Sequence, residues 1–155
     1  MMRKILYALI LGSLFFAPLN RIEIANLEPI QAVWMYQTDG KLVLETDTKD
    51  KGSGATVEEA LTDMKNSSPG IIYLDTAQYL LVAEGTEHQI AALQPHVKDT
   101  IYLCLWDGQG SLADGVKYAD AHNVGVKLNK WKSNSKLPSL PGFYTEETRM
   151  EEEEK

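Results

Sequence analysis

The stretch from Glu28 to Asp47, EPIQAVWMYQTDGKLVLETD, decides the reading of the fold. Apolar and polar residues alternate on both sides of Asp39-Gly40, and an Asp-Gly pair supplies the two positive-φ positions that a tight hairpin turn requires. Two strands are therefore expected, Glu28 to Gln37 and Lys41 to Asp47, joined through Thr38-Asp39-Gly40.

Downstream of the hairpin, three helices are signalled by one device. A Ser or Thr oxygen caps a free backbone N–H while an acidic or amide side chain three residues on caps back. The pairs are Thr56/Glu59, Thr86/Gln89 and Ser111/Asp114. After the first, Val57, Ala60, Leu61 and Met64 fall on one helical stripe that ends near Asn66 to Ser68. The second predicts a short face of Ile90, Ala91 and Leu93, stopped by Pro95, which lacks the N–H a helix needs. In the third, Leu112, Val116 and Ala119 share a side, and Gly115 weakens the helix by about 1 kcal/mol relative to alanine.

Between the helices, Ile71 to Glu84 and Thr100 to Trp106 are rich in β-branched and aromatic residues and predict strands. The first is long, so a bend at Asp75-Thr76-Ala77 is expected, with Gln78 to Glu84 as the pairing segment. Val124 to Leu128 predicts a final strand. Gly52-Ser53-Gly54-Ala55 reads as a flexible connector. The expected fold class is α+β: a mixed β-sheet, made of the N-terminal hairpin and the later strands, packed with three helices in a single domain over residues 20–131. Residues 132–155, with Pro138, Pro141 and Gly142 and then Glu151 to Glu154, read as a linker and an acidic, solvated tail, disordered at its end.

The N-terminus carries a different signal. Arg3-Lys4 precede an apolar run from Ile5 to Phe16 broken only by Gly12 and Ser13, the layout of a secretory signal. Residues 1–19 are expected to be a signal peptide or an N-terminal membrane anchor, with Arg3 and Lys4 left in the cytoplasm and the rest of the chain outside. Ala17 with Phe15 is a poor cleavage site. At about 1.5 Å per residue, Ile5 to Leu19 spans about 22 Å against a hydrocarbon core of about 30 Å. Removal and retention both stay open.

Composition narrows the function classes. The 155 residues are 44% hydrophobic and 24% charged, too apolar for a disordered chain. A net charge of -7 argues against nucleic-acid binding, which needs a clustered positive surface. One cysteine, Cys104, excludes an intrachain disulfide and a cysteine-based zinc finger.

No set of residues has the spacing of a known catalytic or metal site. His88, His96 and His122 fit no zincin, triad or zinc-finger pattern, and the dipole of a helix C-terminus accounts for His122. Cys104, inside IYLCLW, is expected to be a buried and inert thiol. Gly52 to Thr56 leads into a helix as a phosphate loop does but lacks Gly-Lys-Ser/Thr, and Asp107 to Gly110 starts like a calcium loop without its later acids. No catalytic residues, cofactor or metal are therefore expected. The candidate binding surface is the basic stretch Lys127, Lys130, Trp131 and Lys132, together with the loop at Asp107. A soluble edge guarded by lysines is the plainer account of the same stretch.

Two segments carry a resemblance. Asn20-Arg21-Ile22-Glu23-Ile24-Ala25-Asn26-Leu27 precedes the Asp-Gly hairpin, and Gly52 to Leu61 continues through Ser67-Ser68-Pro69 and Tyr73 to Leu80-Leu81-Val82-Ala83-Glu84-Gly85. In order and spacing these resemble the N-terminal domain of germinant-receptor C subunits, the GerAC-type proteins of spore-forming Firmicutes. The resemblance covers roughly Leu19 to Val97 and not the family's later domains. Where that family has its lipid-bearing cysteine, this chain has Ala17-Pro18. The resemblance implies an exported, non-enzymatic subunit of a membrane complex, partnered by membrane protein subunits or another extracytoplasmic protein.

The expected function is thus an exported, non-catalytic binding or assembly module, secreted or held at the outer face of the cell membrane. Two alternatives belong to other classes. One is a small extracytoplasmic hydrolase or transferase using Asp75, Asp107, Asp114 or His122; the other is a domain that pairs through an exposed strand edge.

Overall fold

In the computed structural model, which describes residues 29–141, the turn closes as its sequence requires. Asp39 and Gly40 both take positive φ, 50° and 73°, and β1 (Ala32–Thr38) pairs antiparallel with β2 (Lys41–Thr46), Thr38 opposite Lys41. This register puts Val33, Met35, Leu42 and Leu44 on one face of the hairpin and Trp34, Tyr36, Val43 and Glu45 on the other.

The connector that follows is a third strand. β3 (Lys51–Gly54) pairs antiparallel with β2, with Gly52 opposite Leu44 and Gly54 opposite Leu42. The glycines that suggested flexibility are there for packing. A Cβ on Gly52 would run into the Ala60 carbonyl oxygen and the Met64 backbone, so the missing side chains let the next helix lie directly on the strand. That helix, α1 (Val57–Ser67), begins at the expected cap: Glu59 N–H donates to Thr56 Oγ1 at 3.2 Å. The Glu59 carboxylate reaches one residue further back and accepts from Ala55 N–H at 2.8 Å. Val57, Ala60, Leu61 and Met64 are buried, as the stripe predicts.

Ile71 to Glu84 differs from its expectation as one bent strand. Leu74–Thr76 is a 3₁₀ turn, Ile71 to Tyr73 is a loop, and only β4 (Tyr79–Val82) pairs. The Thr86/Gln89 capping box does not form either. Thr86 is buried and its hydroxyl donates to the Ala83 and Met35 carbonyls at 2.7 and 3.3 Å, so it is unavailable to cap. The helix there shrinks to α2 (Ile90–Leu93), flanked by 3₁₀ turns at Glu87–Gln89 and Gln94–His96. β5 (Tyr102–Leu105), α3 (Leu112–His122) and β6 (Val126–Lys127) complete the elements. α3 has its box, with Asp114 N–H donating to Ser111 Oγ at 3.1 Å, and it ends on Asn123 in the left-handed conformation.

The six strands form one sheet in the order β3-β2-β1-β4-β5-β6. β1, β4 and β5 run parallel and the outer strands antiparallel. One face, with Met35, Leu44, Leu80 and Leu103, packs on α1 and α2. The other, with Leu81, Cys104 and Trp106, packs on Val116 and Ala119 of α3. The chain is therefore a single α+β domain, a mixed open sheet with three helices.

The packed chain runs on past the boundary drawn at Trp131. Leu137 and Leu140 are 3% and 4% exposed. Leu105 N–H donates to the Pro138 carbonyl and Leu140 N–H to the Leu105 carbonyl, both at 2.8 Å, a parallel bridge that extends the sheet beside β5. Lys132 to Leu140 is thus part of the domain rather than a linker. Residues 1–28 and 142–155, with the expected signal or anchor and the acidic tail, lie outside the described residues. Among the described residues no helix is long and apolar enough to cross a membrane.

Candidate functional site

The parallel strands define two ends of the molecule, and at the carboxyl end of β4 and β5 the surface opens into a recess of about 530 Å³. In open sheets with parallel strands this is the end where ligands bind. One wall is the chain leaving β4. Gly85, at φ 89°, turns it, buried Thr86 pins it to β1, and Glu84, Glu87 and His88 line the recess. The opposite wall is Trp131 with the loop from Ser133 to Leu137, and Leu105 of β5 forms part of the lining between them.

Both walls are held by hydrogen bonds made close in sequence. His88 Nδ1 lies 3.0 Å from the Gly85 carbonyl oxygen and Nε2 lies 3.0 Å from the Gln89 side-chain amide. A carbonyl only accepts, so Nδ1 is the donor in the first of these contacts. Both ring nitrogens are committed to the wall. Trp131 Nε1 donates to the Ser135 carbonyl at 3.2 Å, and Ser135 Oγ donates to the Lys132 carbonyl at 2.7 Å, closing the loop on itself. The indole body is partly buried against the core beside Leu137. Two carboxylates, Glu84 and Glu87, face one ammonium, Lys136, so acidic side chains outnumber basic ones in the lining. Such a lining favours a ligand with a cationic group next to an apolar one.

The residues singled out from sequence are spread over the molecule. Of the candidate binding surface, Trp131 lines the recess. Lys130 and Lys132 are exposed beside it in sequence. Lys127 lies at the amino end of β5, its Nζ 5.5 Å from the Tyr102 ring centroid. Asp107 is exposed in the loop after β5, where it accepts from Gln109 N–H at 3.0 Å. Asp75 sits in the turn before β4 and His122 at the far end of α3, with Nδ1 3.1 Å from the Tyr118 carbonyl oxygen. Asp114, in the first turn of α3, bonds Ser111 and lies 3.7 Å from Lys117 Nζ. Asp75 precedes β4 at the amino end of the parallel strands, whereas Asp107 and Asp114 follow β5 at the carboxyl end. Among the described residues no three His, Cys, Asp or Glu side chains come together to hold a metal ion.

Cys104 has no exposed surface, its Sγ donates to the Val124 carbonyl at 3.4 Å, and burial pushes its pKa up to about 12. Burial likewise raises Tyr79 to about 12, helped by the Asp120 carboxylate that its hydroxyl donates to at 3.2 Å. At Gly52 to Thr56 the N–H groups that could hold a phosphate are taken by carboxylates: Ser53 N–H by Asp63 and Ala55 N–H by Glu59. The loop from Asp107 to Gly110 folds over Trp34, and a Cβ on Gly108 would run into that ring. Trp34 stacks on Tyr36 at 4.0 Å and lies 4.8 Å from Trp106. The indole nitrogens of Trp34 and Trp106 are buried without an acceptor among the described residues, so ring contact holds this layer together.

Glu87 escaped the sequence reading, and nothing in the sequence joined Glu84 and Lys136 in one site. Glu84-Gly85 directly after a fully apolar strand was the available signal, but it gains meaning only once β4 and β5 are known to be parallel neighbours. Family models, curated proteins and solved structures were all compared with the chain, and none matches it.

Proposed function

We propose that this chain is an exported, non-catalytic binding or assembly module, similar to the first domain of a germinant-receptor C subunit, and that its recognition site is the recess between Glu84 and Lys136. The observation that carries the reading is the lining: two carboxylates, an ammonium and a partly buried indole on opposed walls, with His88 spent on holding one of them. The ligand is a small molecule or a partner's side chain that presents an amine beside an apolar group. Export rests on Arg3-Lys4 and the apolar run Ile5 to Phe16; the family likeness rests on the quoted segments.

The test is an NMR titration of the purified protein with agmatine, phenethylamine and phenylacetate. The amines should shift the Trp131 indole N–H and the amides of Glu84 to His88 saturably, and phenylacetate should not. Saturable shifts confined to other surfaces would overturn the assignment of the recess. Turnover of ester or phosphodiester substrates by the protein would favour the hydrolase reading. The strand-edge reading has less to draw on at β3, where α1 side chains engage the outward backbone groups of Lys51 and Ser53.

A further inference from the structure

Three large apolar side chains stand exposed among the described residues: Ile71 at 54%, Tyr73 at 54% and Tyr102 at 36%. All three lie at the amino end of the parallel strands, opposite the recess. Tyr102 opens β5, its ring 5.7 Å from that of Tyr79, which opens β4. Ile71 and Tyr73 flank Ile72, whose side chain packs on the core and so leaves its two neighbours outside. Their loop leads into the Leu74–Thr76 turn, and this turn is fixed to the start of β1: Thr76 Oγ1 donates to the Ile30 carbonyl at 3.1 Å and Gln78 N–H to the Gln31 carbonyl at 2.8 Å.

The described chain also approaches β1 from this end, through Ile30 and Gln31. The ten residues between Leu19 and Ile30 let the chain reach at most about 40 Å when fully extended. We propose that this end is a membrane-apposed surface, with Ile71, Tyr73 and Tyr102 seated in the headgroup layer of the bilayer that holds residues 1–19. The inference rests on the retained-anchor reading of those residues. It supplies what that anchor lacks. An apolar run of about 22 Å is short for a bilayer core, and lasting attachment takes a second contact. Tethering raises the local concentration of the domain at the surface to the millimolar range, so a weak contact suffices. Tyrosine is suited to the headgroup layer, with an apolar ring and a polar tip. Both signs of charge stand at this end, Lys65 near Tyr73 and Asp75 and Lys127 over the Tyr102 ring, so the contact is amphipathic and does not depend on anionic lipid alone. The recess then faces away from the membrane, open to partners.

The experiment uses the full chain reconstituted into phosphatidylcholine vesicles, with and without phosphatidylglycerol. An environment-sensitive dye is placed on Ile71→Cys or, as the control beside the recess, on Glu87→Cys; buried Cys104 stays unlabelled. Flotation reports the anchor, and quenching by a lipid-borne quencher reports the surface. The expected result is flotation of both variants with at least about twofold stronger quenching at position 71, in both lipid mixtures. Flotation with equal, weak quenching at the two positions would overturn the membrane-apposed surface and leave the anchor standing. Failure to float would overturn both.

Discussion

The backbone N–H of Ser53 donates to the carboxylate of Asp63 across 2.8 Å, so the helix that follows β3 closes the outer edge of that strand. Ser67 Oγ, which donates to the Asp63 carbonyl at 2.8 Å, also lies 3.2 Å from the Lys51 carbonyl and covers it. An unpaired edge invites a second strand, and here the side chains of α1 occupy the groups a second strand would use. Asp63→Ala removes this guard without touching the core. It should cost about 1 kcal/mol in a urea melt, and it should shift the protein from monomer toward dimer in sedimentation at high concentration. An unchanged sedimentation profile would mean that the edge is protected by something other than Asp63.

The extent of the domain can be tested by truncating side chains. Leu81, in the central strand, and Leu137, in the segment first read as linker, are both nearly inaccessible. Leu81→Ala and Leu137→Ala should each cost about 2 to 5 kcal/mol. A cost for Leu137→Ala within about 0.5 kcal/mol, the range of surface changes, would return the boundary to Trp131.

What the sequence revealed and what it hid follow one physical rule. The β1–β2 turn, the Thr56 cap and the Ser111 cap were legible because partners a few residues apart determine them. β3 was missed because its two glycines carry meaning only through Ala60 and Met64 of α1, which pack on it. Thr86 was misread as a cap because its hydroxyl turns back to the Ala83 carbonyl at 2.7 Å and toward that of Met35, 51 residues earlier, at 3.3 Å. Leu137 and Leu140 were hidden by the prolines between and after them, which break any periodicity while still leaving Leu140 an N–H to pair with Leu105. The recess was the least legible feature, since it joins the end of β4 to a loop some fifty residues later.

Cys104 and Tyr79 make the fold sensitive to alkali. Both side chains are held neutral by burial, with pKa values near 12 against ordinary values of 9.0 and 10.0. As pH rises through those ordinary values the unfolded chain loses these protons and the folded chain keeps them, so stability falls, by up to about 1.4 kcal/mol per pH unit for each group. The urea midpoint should therefore be lower at about pH 10.5 than at about pH 7.5. In Cys104→Ala the drop should be smaller, although a cavity lowers that variant's stability at both values. A thiol reagent should modify Cys104 only under unfolding conditions.

The central claim, that the recess recognises a cationic group, is tested most directly by calorimetric titration of Glu84→Gln/Glu87→Gln against the unaltered protein with the amine that binds best. Glu84 is exposed and Glu87 only half-buried, so the double variant should melt at the same temperature as the parent. Its affinity should be lower by about tenfold or more, the loss expected when charge-assisted hydrogen bonds are removed. An affinity equal to the parent's, in a variant with the parent's melting temperature, would contradict the claim.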